Sequence, residues 1–214
     1  MKMIKVKGLL VGKYPVKQRQ YEKMMEYNPS HFHGKKLPVE NVTWYDAVMF
    51  CNKLSEAEGV ESYYTLTDIV YGGTEGASNI TSATVVEATT GIAIYGYRLP
   101  TKKEWLSFAD DGYKYSGSDT IGEVAWYWGN SQNKTHKVGE KNPNKFGLYD
   151  ITGNIWEWCY SHDNVKPLRG GSWYDDESNC VLSNRIGNGA GRSDSDYGFR
   201  VIRKTKKEET NEKN

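Results

Sequence analysis

Apolar residues along this chain recur with two periods. From Lys17 to Tyr27, Tyr21, Met24 and Met25 fall at helical spacing, with Lys, Arg and Glu on the other face and Asn28-Pro29-Ser30 as the stop. That predicts a first helix. Thr43 with Asp46 is a capping pair, and Trp44, Ala47, Val48, Cys51 and Leu54 then repeat at the helical period as far as Gly59, which predicts a second. Thr101 and Glu104 form a capping box after Pro100, and Trp105, Phe108 and Ala109 give a short third helix its apolar stripe. Elsewhere the period shortens. Ile4–Val16 alternates loosely around Gly8 and Gly12, as in two short strands or a hairpin. Tyr63–Tyr97, rich in Thr, Val, Ile and Tyr and punctuated by Gly72, Gly73, Gly76, Gly91 and Gly96, reads as short strands or hairpins. Tyr113–Asn144 reads as loop, with Trp126, Tyr127 and Trp128 wedged into the core. Phe146–Trp158 reads as a tight turn feeding a strand.

The last ordered stretch has a different pattern. Arg169-Gly170-Gly171-Ser172-Trp173 opens it and Gly198-Phe199-Arg200-Val201 closes it, each end reading as a short strand. Between them lies a long run dominated by Tyr, Asp, Ser, Asn, Gly and Arg. A loop of that length inside a compact domain usually binds or covers something.

Composition narrows the partner class. A chain of 214 residues with no linker fits one domain, taken as residues 1–203, followed by a charged, disordered tail over 204–214. Lys and Arg total 28 against 27 Asp and Glu, so the net field gives no reason to expect nucleic acid. No apolar run is long enough to span a bilayer, which argues against direct membrane insertion. Met1–Lys7 lacks the apolar core of a signal peptide, so the chain is cytoplasmic or its leader is absent from this sequence. The 7 Trp and 16 Tyr suit a core built of rings, with tyrosines left for a surface. Cys51, Cys159 and Cys180 make an odd count. A bridge from Cys159 to Cys180 and three buried thiols are both compatible with it. His31 and His33, in a Lys-flanked loop without a nearby carboxylate or cysteine, read as a solvated turn.

Many short motifs recur here in a fixed order. They are Val11-Gly12-Lys13-Tyr14-Pro15-Val16, Asn28-Pro29-Ser30, Pro38 to Trp44 with Ala47, Cys51 and Asn52, and Tyr97-Arg98-Leu99-Pro100-Thr101 with Glu104-Trp105. Phe146 to Asp150, Gly153 to Trp158, Arg169 to Ser172 and Gly198-Phe199-Arg200 continue the series. Together they resemble the formylglycine-generating, sulfatase-modifying enzyme family. The resemblance implies an α+β, C-type lectin-like fold of small antiparallel sheets, a few helices and much irregular loop. The family's enzymes oxidise a substrate cysteine using a copper-binding pair of their own cysteines, which correspond here to Asp175 and Cys180. A carboxylate is a hard ligand unsuited to Cu(I), so neither copper nor formylglycine generation is expected. The family also binds calcium near its Gly-Asn-x-Trp-Glu motif. Carried over, the ligands are the Asp150 side chain, the Gly153 and Ile155 carbonyls and the Glu157 carboxylate. The alternative is that Asp150 caps a turn and Glu157 pairs with Arg169 or Arg200.

Within this fold family the chain is similar to the variable proteins of diversity-generating retroelements. In these a C-terminal segment ending near Gly-Phe-Arg-Val is rewritten at adenines, so asparagine codons drift to residues such as Tyr, Asp, Ser and Gly but not to Glu, Lys, Met, Gln or Trp. Between Tyr174 and Tyr197 only Glu177 lies outside the reachable set. Exposed turns also favour Gly, Asn, Asp and Ser for local reasons. The resemblance implies a non-catalytic protein whose partner is a protein or other macromolecule. The expected contact residues are Tyr174, Asp175, Asp176, Ser178, Asn179, Ile186, Asn188, Asp194, Ser195, Asp196 and Tyr197, with Tyr174 and Tyr197 as anchors. It also implies display at the cell surface or secretion, should a leader precede this sequence. The alternatives are an enzyme or pseudo-enzyme of the sulfatase-modifying type, or a scaffold whose loop packs on a subunit.

Overall fold

A computed structural model describes residues 1–73, 78–88 and 95–205. The chain begins with an antiparallel hairpin of β1 (Met3–Val6) and β2 (Leu9–Gly12). Lys7 and Gly8 between them both take positive φ, 47° and 82°, the combination that a two-residue turn needs to match strand twist. α1 (Gln18–Met25) follows, with the Gln20 side chain accepting the Lys17 N–H. α2 (Trp44–Ala57) starts where the sequence placed it: Thr43 Oγ1 accepts the Asp46 N–H at 3.1 Å and Asp46 Oδ2 accepts the Thr43 N–H at 2.9 Å. β3 (Tyr64–Tyr71) and β4 (Ile80–Glu87) pair as an antiparallel hairpin. The expected punctuation at Gly76 and Gly91 lies outside the described residues.

α3 (Lys102–Ala109) carries the second capping box, and α4 (Ile121–Val124) is a single turn inside the stretch that reads as loop. It is too short for a period to reveal it. The C-terminal half then builds a sheet from β5 (Trp156–Trp158), β6 (Val165–Arg169), β7 (Ile186–Gly189) and β8 (Tyr197–Gly198), in the order β7-β6-β5-β8. Its pairs are antiparallel except β5 with β8. β9 (Ile202–Lys204) returns to the start of the chain and pairs with β2, giving the order β1-β2-β9.

Three expectations change at these ends. Of the strand expected over Gly198–Val201, only Gly198 lies in a strand, as the end of β8. The strand expected over Arg169–Trp173 stops at Arg169, because Gly170 and Gly171 take φ of 101° and 77° and turn the backbone away. Lys204, expected to open the tail, is the last residue of β9, and the Thr205 N–H still reaches the Gly8 carbonyl; residues 206–214 lie outside the described residues.

Trp44, Phe50, Trp156, Trp158 and Phe199 fill one core between α2 and the four-stranded sheet. Trp105, Phe108, Leu148, Ile151 and Ile202 fill a second between α3 and the terminal sheet. Cys51, Cys159 and Cys180 are all free and buried. The pattern is α+β, with aromatic rings in place of the aliphatic layers of a larger sheet.

Candidate functional site: a polar surface on a rigid frame

The frame is fixed by one guanidinium. Arg200, 0% exposed, bonds Glu157 through Nη2 at 2.7 Å and Nε at 3.0 Å, while Nη1 donates to the Gly12 carbonyl and Nη2 to the Tyr149 and Asp150 carbonyls. Glu157, also 0% exposed, accepts the Trp105 Nε1–H at 2.8 Å on Oε2. A buried ion pair holds only when both charges are hydrogen-bonded this fully. Gly198 lies between frame and core: a Cβ there would sit 2.2 Å from the Val39 carbonyl oxygen. Trp173 is buried, donating Nε1–H to Ser195 O at 3.1 Å and meeting Phe32 edge-on at 5.3 Å.

The expected contact residues divide into three sets. Tyr174, Asp176, Ser178 and Asn179 are exposed, and Tyr174 at 67% is among the most open large side chains. Asp176 Oδ1 accepts from Ser178 N, Ser178 Oγ and Asn179 N, which stiffens this turn and holds the Asp176 carboxyl below its ordinary range. Asp194, Ser195 and Asp196 form a second, half-buried set. Ile186, Asn188 and Tyr197 form the third and serve packing: Ile186 and Tyr197 lie against the main core, and Asn188 Nδ2 donates to the Tyr197 hydroxyl at 2.8 Å. Tyr197 meets Trp158 edge-on at 5.6 Å, so it anchors inward where Tyr174 opens outward.

Asp175, the remaining expected residue, is half-buried, and Ser172 links it to Asp196 of the second set. Its Oγ lies within hydrogen-bond distance of Asp175 Oδ2 and 2.9 Å from Asp196 Oδ2. A hydroxyl has one hydrogen, so donating to one carboxylate leaves the other bond in need of a proton on its own carboxyl. Burial raises Asp196 to about 7, with Asp175 and Asp194 adding repulsion against the Ser172 bond; burial raises Asp175 as well. Glu40 stands in the same field. Burial lifts it to about 7 against the opposing His31 and Phe32 N–H donors, with Asp196 and Asp194 raising it further.

Two contributors escape sequence reading. Glu40 is far from the run in sequence, and only the fold brings it there. Trp128, expected in the core, is 64% exposed and donates its N–H to the Asp175 carbonyl at 2.9 Å. Trp128 sits in a turn, and the Tyr127 ring packs over the neighbouring Gly129, 2.7 Å from where a Cβ would be.

The calcium set is arranged differently from its expectation. Asp150 accepts the Gly139 N–H at 2.7 Å and takes φ of 52°; burial raises its carboxyl to about 6. The Gly153 carbonyl accepts the Ile155 N–H, and both oxygens of Glu157 are engaged by Arg200, one of them also by Trp105. As folded, the cation that both Glu157 oxygens face is Arg200. Among the described residues no group of three or more His, Cys, Asp or Glu is placed to hold a metal. No helix of the described residues is long and apolar enough to cross a membrane.

Fold and site together define an α+β scaffold of the C-type lectin-like, formylglycine-generating type that carries a polar, tyrosine-bearing surface. The chain belongs to the sulfatase-modifying factor enzyme 1-like domain family, whose model matches residues 1–205. It is 34% identical to chaperone protein LppX of Paenibacillus barcinonensis, over 94% of this chain and 82% of that protein. It is 31% identical to inactive C-alpha-formylglycine-generating enzyme 2 of Bos taurus, over 49% of this chain and 43% of that protein. The structure of Treponema denticola variable protein 1 superposes with a TM-score of 0.79 at 33% identity, covering 92% of this chain and 84% of that one.

Proposed function

We propose that the chain is a non-catalytic binding protein that meets a protein or other macromolecule through the surface between Tyr174 and Tyr197. The observation that carries this reading is the division of burial. Trp173, Phe199 and Arg200 are locked inside, while Tyr174, Asp176, Ser178 and Asn179 stand outside on a turn held by its own hydrogen bonds. Tyrosine offers wide amphipathic contact at low entropic cost, and small polar residues adapt their hydrogen bonds, which is the chemistry of an antibody paratope. The likeness to a variable protein, an inactive enzyme and a protein named a chaperone supports binding over turnover.

The enzymatic alternative meets a chemical obstacle at the positions of the copper pair. Asp175 offers oxygen, and Cys180 offers one sulfur whose thiol burial pushes up to about 12. Cu(I) favours thiolates. Stoichiometric Cu(I) uptake with turnover of a cysteine peptide would overturn the non-catalytic reading. The surface itself is tested by changing Tyr174, Asp176, Ser178 and Asn179 together to alanine. The expected fall in melting temperature is a few degrees, about what lost turn hydrogen bonds cost. Collapse of folding would assign this run to the core and end the proposal.

A further inference from the structure

We infer that the cleft beside Trp128 receives an arginine side chain of the partner protein, a step that rests on the binding-surface reading above. The cleft holds about 470 Å³ and is lined by Tyr127, Trp128, Gly129, Asp176, Glu177 and Ser178. Its aromatic wall comes from a loop outside the Tyr174–Tyr197 run, its acidic wall from within it. The Trp128 loop is prefixed: Asn130 Oδ1 accepts the Tyr127 N–H at 2.9 Å, Asn130 Nδ2 donates to Ala125 O at 3.0 Å, and Ser131 Oγ donates to Trp173 O at 2.8 Å. An exposed indole held this way loses little freedom on contact.

The charge around it specifies the occupant. Asp176 and Glu177 are exposed, and among the described residues neither lies within 4 Å of a cationic side chain. Lys114 feels Glu177, but its Nζ sits over the Tyr115 ring at 5.0 Å. The donors on Asp176 keep its carboxyl ionised at neutral pH. A guanidinium satisfies both walls at once, lying flat on the indole while its N–H groups reach the carboxylates. Asp176 is hydrogen-bonded by Ser178 and Asn179 and Glu177 by Tyr127, but an anionic or purely apolar group would leave both carboxylates without a counter-cation.

The probe is an acetylated tetra-arginine amide, titrated into the full chain while the Trp128 indole N–H resonance is followed by NMR, assigned through a Trp128→Phe variant. A saturable shift in the millimolar range is expected, weakened about tenfold in the Asp176→Asn, Glu177→Gln double variant. The shift should also shrink as salt rises from about 20 mM to about 300 mM. No saturable shift, an equal shift in the double variant, or an equal response to tetra-glutamate overturns the arginine assignment. If that happens while the four-alanine variant stays folded, the binding surface survives with a different partner chemistry. If the four-alanine variant unfolds, the surface reading fails and takes this assignment with it.

Discussion

Asp196→Asn isolates the carboxyl that shares the Ser172 hydroxyl with Asp175. In the folded chain burial raises Asp196 from 3.8 to about 7, so the native state keeps a proton that the unfolded chain releases. Stability from this group is therefore full below pH 3.8 and is lost as pH rises through about 7. Between about pH 5 and about pH 8 the ideal loss is on the order of 3 kcal/mol, at about 1.4 kcal/mol per tenfold change in proton binding. Asp196 is half-buried, and the water reaching it reduces the measurable part to roughly 1–2 kcal/mol. Asparagine keeps the shape and a hydrogen bond to Ser172 but has nothing to ionise. Urea unfolding at the two pH values should therefore show the wild type losing about 1–2 kcal/mol more than Asp196→Asn as pH rises, or about 2–8 °C in melting temperature. Some slope will persist in the variant, because Glu40 at about 7 and Asp46 and Asp150 at about 6 titrate in the same window. Identical slopes in the two proteins would refute the shared-proton account.

Arg200→Met should destabilise by about 3–5 kcal/mol by stranding a buried Glu157 carboxylate, and the double variant Arg200→Met, Glu157→Gln should recover part of it; chemical denaturation of the set decides. Because that guanidinium is the cation Glu157 faces, EDTA and added calcium should both leave the melting temperature within about 1 °C, and a clear rise with calcium would contradict the arrangement. Gly198→Ala should cost about 2–4 kcal/mol, since its methyl meets the Val39 carbonyl, and a near-neutral result by calorimetry would mean that segment yields.

What the sequence made legible was local. Thr43 with Asp46 and Thr101 with Glu104 announce helix starts within four residues, and the chain obeys both. The Glu157 partner was open between Arg169 and Arg200, and register alone would favour Arg169, which stands opposite Glu157 across β5 and β6. Arg169 instead sends Nη1 to the carbonyls of Leu182, Ser183 and Asn184, leaving Arg200 to cross from the far side. Such a choice depends on three segments at once and leaves no mark in spacing. Trp128 misled for the opposite reason: an aromatic triplet looks like core, but Trp128 sits in an exposed turn. The exposure of Tyr174, Asp176, Ser178 and Asn179 was legible from the polar composition of the run. Which of its members face inward was not, because Ile186, Asn188 and Tyr197 are committed by strands too short to show a period.

The pairing of β2 with β9 has a consequence in time. Leu10 stands opposite Arg203, so the first sheet lacks its third strand until nearly the last described residue has been made. Contacts of such sequence separation close slowly and late. During synthesis the first hairpin must wait with one edge bare until β9 emerges, and Arg200, which ties Gly12 to Glu157, arrives only just before β9. Nascent chains of this protein should therefore stay protease-sensitive until β9 is free to pair with β2, then become resistant in a single step.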